Sequence, residues 1–397
     1  MKYYLIIFLF FYTTNTFSQQ LYDTSIRPAD YTISAYLPFL KHKNVALIIN
    51  QSSVINKVNL LDLLIENKIN ITKIFEPEHG FRGNEDAGAT IENNIDSQTK
   101  IPIISLYGKH NKPLPDDLKD IDVMVYDLQD VGVRFYTYIS TLQYCMEACA
   151  ENKIQLIILD RPNPNGFYID GPVLEKESKS FVGMQPIPVV YGMTCGEYAQ
   201  MLKGENWFEH AQQLNLKVIL CNNYTHSKRY KLPIPPSPNL KTMAAIYAYP
   251  SLCFFEGTVI SVGRGTECPF QQFGCPEFSG INKNYSYKFT PKSNFGAKHP
   301  LYENKDCVGE LIGISENDVL DKINNHIDFT WLINAYRCYP DKDKFFNNFF
   351  EKLSGNKTLK TYIKQGYSNQ NIHDAYIKEI SDFKEIRKKY LLYEDFY

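Results

Sequence analysis

Ile71-Thr72-Lys73-Ile74-Phe75-Glu76-Pro77-Glu78-His79-Gly80-Phe81-Arg82-Gly83 begins as a buried strand and ends as a loop crowded with charge. Pro77 lacks the N–H that a further ladder bond needs, so strand pairing stops there. Gly80 and Gly83 permit tight bends, which presents Glu78 and His79 instead of packing them. In an open α/β sheet, ligands bind beyond the carboxyl ends of the strands. Two acids, a His and an Arg at such an end therefore mark a candidate site.

Five other short runs share the character of the opening strand: Val45 to Asn50, Ile101 to Leu106, Val123 to Asp127, Gln155 to Asp160 and Leu216 to Cys221. They are apolar without alternation, which predicts strands covered on both faces. Helical patterns lie between several of them, at Leu60 to Asn67, at Ile139, Leu142, Cys145, Met146 and Cys149, and at Gly196 to Leu202. Strands alternating with helices predict an α/β fold with a largely parallel, Rossmann-like sheet over residues 19–240. Beyond Asn239, Gly and Pro punctuate short segments to about Pro300. Glu310 to Tyr336 and Asn356 to Tyr390 then read as helices around a Phe-rich turn. These features predict a smaller α+β domain over 241–397, with the active-site cleft between the two.

Residues 1–18 read as a signal peptide, with one charge at Lys2, an apolar block from Tyr3 to Tyr12 and a small polar end. The block falls short of the roughly 18 apolar residues a membrane helix needs, and no later stretch reaches that length. The expectation is a periplasmic or secreted protein with no membrane span after cleavage. With 42 basic and 44 acidic residues the net charge is −2. No basic face is signalled, so no nucleic-acid partner is expected. No G-x-G-x-x-G follows any strand, so the fold class does not bring a dinucleotide with it, and no cofactor is expected. The nine Cys show no zinc-type spacing, and no metal site is read from them. Cys145 and Cys149, one helical turn apart, suit a buried face. Cys268 and Cys275 are the close pair left for a bridge in an oxidising compartment.

Polar clusters recur at later strand ends. Asp127-Leu128-Gln129-Asp130-Val131-Gly132-Val133-Arg134-Phe135-Tyr136-Thr137-Tyr138 leaves one strand, and Leu159-Asp160-Arg161-Pro162-Asn163-Pro164-Asn165-Gly166 leaves the next. Pro236-Ser237-Pro238-Asn239, Glu256-Gly257 and Gly263-Arg264-Gly265-Thr266 follow. Acids, arginines and amides at successive strand ends are how this architecture builds a pocket.

Six of these motifs, in this order, resemble the NamZ-type exo-β-N-acetylmuramidases: E-P-E-H-G-F-R-G, D-L-Q-D-V-G-V-R-F-Y-T-Y, L-D-R-P-N-P-N-G, Y-G-M-T-C-G-E, P-S-P-N and E-G-T-V-I-S-V-G-R-G-T-E-C-P-F. The resemblance runs from about Val45 to the C-terminus. It implies a glycosidase that removes N-acetylmuramic acid from the non-reducing end of peptidoglycan fragments. Glu76 stands where the family is expected to have a small residue, which places a second acid beside Glu78.

Breaking a glycosidic bond needs one carboxylic acid for the leaving oxygen and a second group facing the oxocarbenium-like carbon. Glu78 is the candidate acid, with Asp130 and Glu256 as the candidates for the second role, unless the 2-acetamido group of the sugar attacks instead. The lactyl carboxylate of the sugar calls for a cationic fork, for which Arg82, Arg134, Arg161 and Arg264 are the candidates. Arg134 is favoured because Tyr136 and Tyr138 nearby are expected to flank the sugar ring. His79, Asn163, Ser237 and Asn239 are expected to bind hydroxyls or the acetamide. Two other classes stay open: a non-catalytic muropeptide-binding protein, and a metal-dependent hydrolase using His79 with Asp127, Asp130 and Asp160.

Overall fold

The computed structural model describes residues 21–81, 93–280 and 285–397. The expected leader 1–18, and Arg82, lie outside them. Helix α1 (Ile33–Leu40) leads into β1 (Asn44–Ile49). A short hairpin of β2 (Val54–Ile55) and β3 (Val58–Asn59) precedes α2 (Leu60–Glu66), β4 (Asn70–Glu76), β5 (Asn94–Ile95), β6 (Pro102–Ser105) and β7 (Val123–Asp127). Then come α3 (Tyr138–Asn152), β8 (Gln155–Leu159), α4 (Cys195–Gly204) and β9 (Leu216–Ile219). Seven of these strands form one sheet in the order β5-β6-β4-β1-β7-β8-β9, parallel except for the edge strand β5.

The missing alternation of the strands has its cause in two apolar layers. Val45, Leu47 and Ile49 of β1 face one core with Leu40, Leu60 and Leu64, while Ala46 and Ile48 face the other with Leu142, Cys145, Met146 and Cys149. Every second side chain is thus apolar on both faces, as a parallel sheet flanked by helices requires. The chain runs outward from β1 through β4 to β6, crosses back to β7, and continues to β9. Its direction reverses between β1 and β7, the switch point where a crevice opens above the carboxyl ends.

The remaining chain forms α5 (Met243–Leu252), a 3-10 turn at Cys253–Gly257, β10 (Gln272–Cys275), β11 (Tyr287–Phe289), β12 (Cys307–Leu311), α6 (Glu316–Ile323), α7 (Thr330–Cys338), α8 (Phe350–Ser354), α9 (Thr358–Gln365) and α10 (Asn369–Arg387). The three strands pair antiparallel with β12 in the middle. Glu310 therefore lies in a strand, not in the helix expected from that position. The helix starts later, where Ser315 and Asp318 form a capping box. Gly309 allows the close strand contact, since a Cβ there would stand 1.8 Å from the Phe273 carbonyl oxygen. Helix α5 was not anticipated because all ten of its residues are buried, which removes the one-sided period that betrays a helix.

All nine cysteines are free, so the expected Cys268–Cys275 bridge is not formed. Among the described residues, no helix is long and apolar enough to cross a membrane.

Candidate active site

Three loops meet above the switch point. After β1, the Asn50 amide donates to the Tyr138 hydroxyl at 2.8 Å, and the Ser53 hydroxyl donates to the Asp127 carbonyl at the end of β7. After β4, the Gly80 N–H closes a turn on the Pro77 carbonyl at 3.0 Å. The third turn residue, His79, is held at φ 74°, a conformation ordinarily left to glycine. Backbone strain of this kind persists where surrounding structure fixes it, and it clusters at functional sites. Glu76, the extra acid, is buried, and its carboxylate accepts the Phe81 N–H at 2.6 Å. It helps hold the turn, and Glu78 is the acid the turn presents.

The carboxylate of Glu78 accepts a hydrogen bond from Thr137 at 2.7 Å. Thr137 is the N-cap of α3, yet its hydroxyl makes no capping bond to the helix. The N-terminal end of a 15-residue helix lies beside this acid, and the positive end of the helix dipole favours negative charge there. Tyr107, just past β6, is the next neighbour. Burial, then the charge of Glu78, raises its phenol above the ordinary range, so it stays a hydrogen-bond donor.

Glu78 and His79 line a cavity of about 550 Å3 whose far wall comes from the C-terminal part of the chain. That wall carries Glu256, Arg264, Lys298 and His299 among the aromatic rings of Tyr249 and Phe270. Glu256 accepts from Arg264 Nε at 2.6 Å. Burial works against the Arg264 charge, but the Glu256 carboxylate outweighs it and raises the guanidinium's pKa. The guanidinium also lies 4.9 Å from the centre of the Phe270 ring, so it is held from two sides. The Cys253 thiol, 3.6 Å from Glu256 Oε2, is pushed far up by burial and is no thiolate nucleophile at neutral pH. The cavity thus holds two carboxylates, several cations and flat rings, the equipment for an acidic sugar.

Tyr136 and Ser237 line the same cavity. The Tyr136 hydroxyl is occupied by the Pro236 carbonyl at 2.9 Å, so Tyr136 offers its ring and not its polar tip. Asn239 lies just behind, its amide donating to the Gly296 carbonyl at 2.7 Å, and so steadies the segment that carries Lys298 and His299.

Four expected residues point elsewhere. Arg134 is fully buried, and its guanidinium donates to the carbonyls of Pro172, Ile187, Leu353 and Ser354 at 2.7–2.9 Å. A fork satisfied by four carbonyls inside the protein does not reach a sugar. Arg161 forms a buried ion-pair cluster with Asp127 and Asp30, each at 2.6 Å. Asn163 donates to the Met193 carbonyl at 2.8 Å and packs against Gly132, where a Cβ would meet its Oδ1 at 2.0 Å. Gly132 sits at φ 75°, so two reasons require glycine there. Asp130 accepts from the Tyr191 hydroxyl at 2.5 Å and the Gly132 N–H at 2.6 Å, behind the cavity wall. Burial pushes its carboxyl up to about 6 despite those donors.

The three acids of the metal-hydrolase alternative do not converge with His79. Asp127 pairs with Arg161, Asp130 with Tyr191, and Asp160 accepts from Thr194, Gly196 and Tyr393. Among the described residues, the group of His and acid side chains that does converge is Asp170, His326 and His373, none of which lines the cavity. The sequence reading missed Tyr107, Thr137, Lys298 and His299. Thr137 stands inside a quoted strand-end motif, where no role was read for it. The other three carry no local pattern.

Comparisons with known proteins give the family. Residues 45–244 match the family model described as exo-beta-N-acetylmuramidase NamZ, N-terminal, and residues 247–393 match its C-terminal counterpart. The chain is 37% identical over 379 residues to the peptidoglycan beta-N-acetylmuramidase NamZ of Bacillus subtilis (strain 168), covering 92% of this chain and 90% of that one. A crystal structure of a DUF1343 family protein from Bacteroides fragilis NCTC 9343 superposes with a TM-score of 0.85 at 45% identity, covering 93% of this chain and 99% of the other. A second DUF1343 structure from the same organism gives 0.78 at 30% identity, with the same coverage. With both halves matched and a relative 37% identical over most of its length, the chain belongs to the NamZ family of exo-β-N-acetylmuramidases.

Proposed function

We propose that this chain is an exo-acting glycoside hydrolase that releases N-acetylmuramic acid from the non-reducing end of peptidoglycan fragments, with Glu78 as its acid/base carboxylate. The observation that carries the assignment is the placement of Glu78: fixed by Thr137 at the head of α3 and facing Glu256 and Arg264 in one cavity. Its volume falls within the roughly 300–1,000 Å3 usual for small-molecule sites. Glu78 delivers a proton to the glycosidic oxygen as the bond lengthens, and the Thr137 hydroxyl and the head of α3 stabilise the carboxylate this leaves behind. Glu256, paired with Arg264, faces the cationic sugar carbon or orients the 2-acetamido group as that group attacks. Arg264 and Lys298 are the cations on the cavity wall for the lactyl carboxylate, with His299 beside them as a further nitrogen group. Export by way of residues 1–18 would bring the enzyme to its polymer, in a murein-recycling role in the periplasm or outside the cell.

The test is release of free sugar from a chromogenic β-N-acetylmuramide and from the matching β-N-acetylglucosaminide, by wild type and Glu78→Gln. The expected result is turnover of the muramide, a loss of roughly 10²–10⁴-fold in the variant, and little turnover of the glucosaminide. Binding of the muramide without turnover by wild type would overturn the assignment in favour of a muropeptide-binding protein.

A further inference from the structure

Asp170, in the segment after β8, meets His326, in the loop before α7, and His373, on α10. One ligand atom from each lies within 4.8 Å of the others. The Asp170 carboxylate is 3.2 Å from His373 Nδ1 and 3.6 Å from His326 Nδ1. Tetrahedral zinc, with bonds of ~2.0–2.1 Å, sets its ligand atoms roughly 3.3–3.4 Å apart. The two acid-to-imidazole separations, one to each carboxylate oxygen, are thus close to that spacing.

The surroundings orient them as outer-sphere partners orient metal ligands. His373 Nε2 lies 2.9 Å from the Ile327 carbonyl, which can only accept. The proton of a neutral ring thus sits on Nε2, and the lone pair of Nδ1 points at Asp170 Oδ1. Two lone pairs at 3.2 Å need either a proton or a metal ion between them. The carboxylate is itself fixed by the Gly171 N–H at 2.8 Å and the Ile327 N–H at 2.6 Å. A proton on His373 satisfies that contact, and the second imidazole, His326, turns its Nδ1 to the same buried carboxylate at 3.6 Å, so two imidazoles converge on one acid. The His326 side chain is 64% exposed, which leaves an entry path and room for water as a fourth ligand.

We infer that Asp170, His326 and His373 form a divalent-metal site of the zinc type. It would pin α10 and the loop before α7 to the segment that follows β8. None of the three lines the cavity, so the site is structural and separate from the glycosidase chemistry.

The test uses the full chain, stripped with chelator and titrated with Zn2+ and, separately, with Co2+, whose visible absorption reports tetrahedral coordination. Bound metal, melting temperature and muramide turnover are read for wild type, Asp170→Asn and His326→Ala. Because His326 is exposed, His326→Ala is expected to fold with a metal-free melting temperature near that of wild type. The expected result is one zinc per chain and a melting temperature raised by several degrees with zinc. Affinity is expected to fall at least tenfold in both variants, with turnover at moderate temperature indifferent to chelator. Failure of wild type to bind, or zinc binding equally well to His326→Ala, would overturn the proposal. The second outcome would place the metal elsewhere, on cysteines for example.

Discussion

Thr137 donates its hydroxyl to Glu78 at 2.7 Å, joining the head of α3 to the turn after β4. An N-cap threonine ordinarily accepts from an N–H of its own helix, but here no such bond is made. The hydroxyl serves the acid instead, while the Thr137 carbonyl accepts from the N–H groups of Ser140 and Thr141. Replacing Thr137 with Val removes the donor with little change of shape. A hydrogen bond to a charged group contributes ~1.5–3 kcal/mol, so kcat is expected to fall roughly ten- to hundredfold. Melting temperature should barely move, because no capping bond is lost, and Thr137→Ser should restore most of the rate. Unchanged kcat in Thr137→Val would show that Glu78 does not depend on this contact.

The cations on the far wall are expected to set the preference for an acidic sugar. Lys298→Met and Arg264→Met should each lower kcat/KM for a β-N-acetylmuramide by about tenfold or more, the scale of one charge-assisted hydrogen bond. Turnover of the glucosaminide, which lacks the lactyl carboxylate, should change less with Lys298→Met. Arg264→Met also frees Glu256 from its 2.6 Å partner, so both substrates should suffer there. Equal losses on both substrates with Lys298→Met would remove that residue from carboxylate recognition.

The sheet, and the loop that presents Glu78, were legible because each follows from local chemistry. Unbroken apolar runs mark buried parallel strands, and Pro77 followed by Gly80 marks a turn. Which polar residue of a strand-end motif faces the cavity was not legible. Arg134 and Tyr136 are two residues apart in one motif, yet Tyr136 lines the cavity while Arg134 reaches back to Leu353 and Ser354 of α8. Nothing in D-L-Q-D-V-G-V-R-F-Y reports that four carbonyls from distant segments wait for that guanidinium. Lys298 and His299 were missed for the same reason: their place is set by the anchoring of Gly296 on Asn239, a contact 57 residues apart.

Asp130 should reveal itself through pH and not through rate. Burial pushes its carboxyl from 3.8 up to about 6. A group whose folded pKa is raised contributes stability below its unfolded pKa and loses it as pH rises through the folded value. Ionised Asp130 therefore burdens the fold above about pH 6, by up to ~3 kcal/mol for a shift of about two pH units. Asn at this position still accepts from Tyr191 and Gly132 and carries no charge. Asp130→Asn is expected to gain stability relative to wild type between pH 4.5 and 7.5, measured by urea unfolding. The same difference at both pH values would contradict the burial argument.

Arg134 is expected to act on stability and not on recognition. Its guanidinium ties the segment after β8, through Pro172 and Ile187, to α8, through Leu353 and Ser354. Gly355 packs directly on it, where a Cβ would lie 2.5 Å from Nη2. Arg134→Met keeps the apolar stem and leaves buried carbonyls without their charged donor. Each unmet group costs about 1–3 kcal/mol before relaxation, so a loss of at least ~3 kcal/mol is expected. The ratio of muramide to glucosaminide turnover should stay as in wild type at a temperature where the variant is folded. A variant that keeps its stability but loses its preference for the muramide would reverse this assignment and return Arg134 to the sugar.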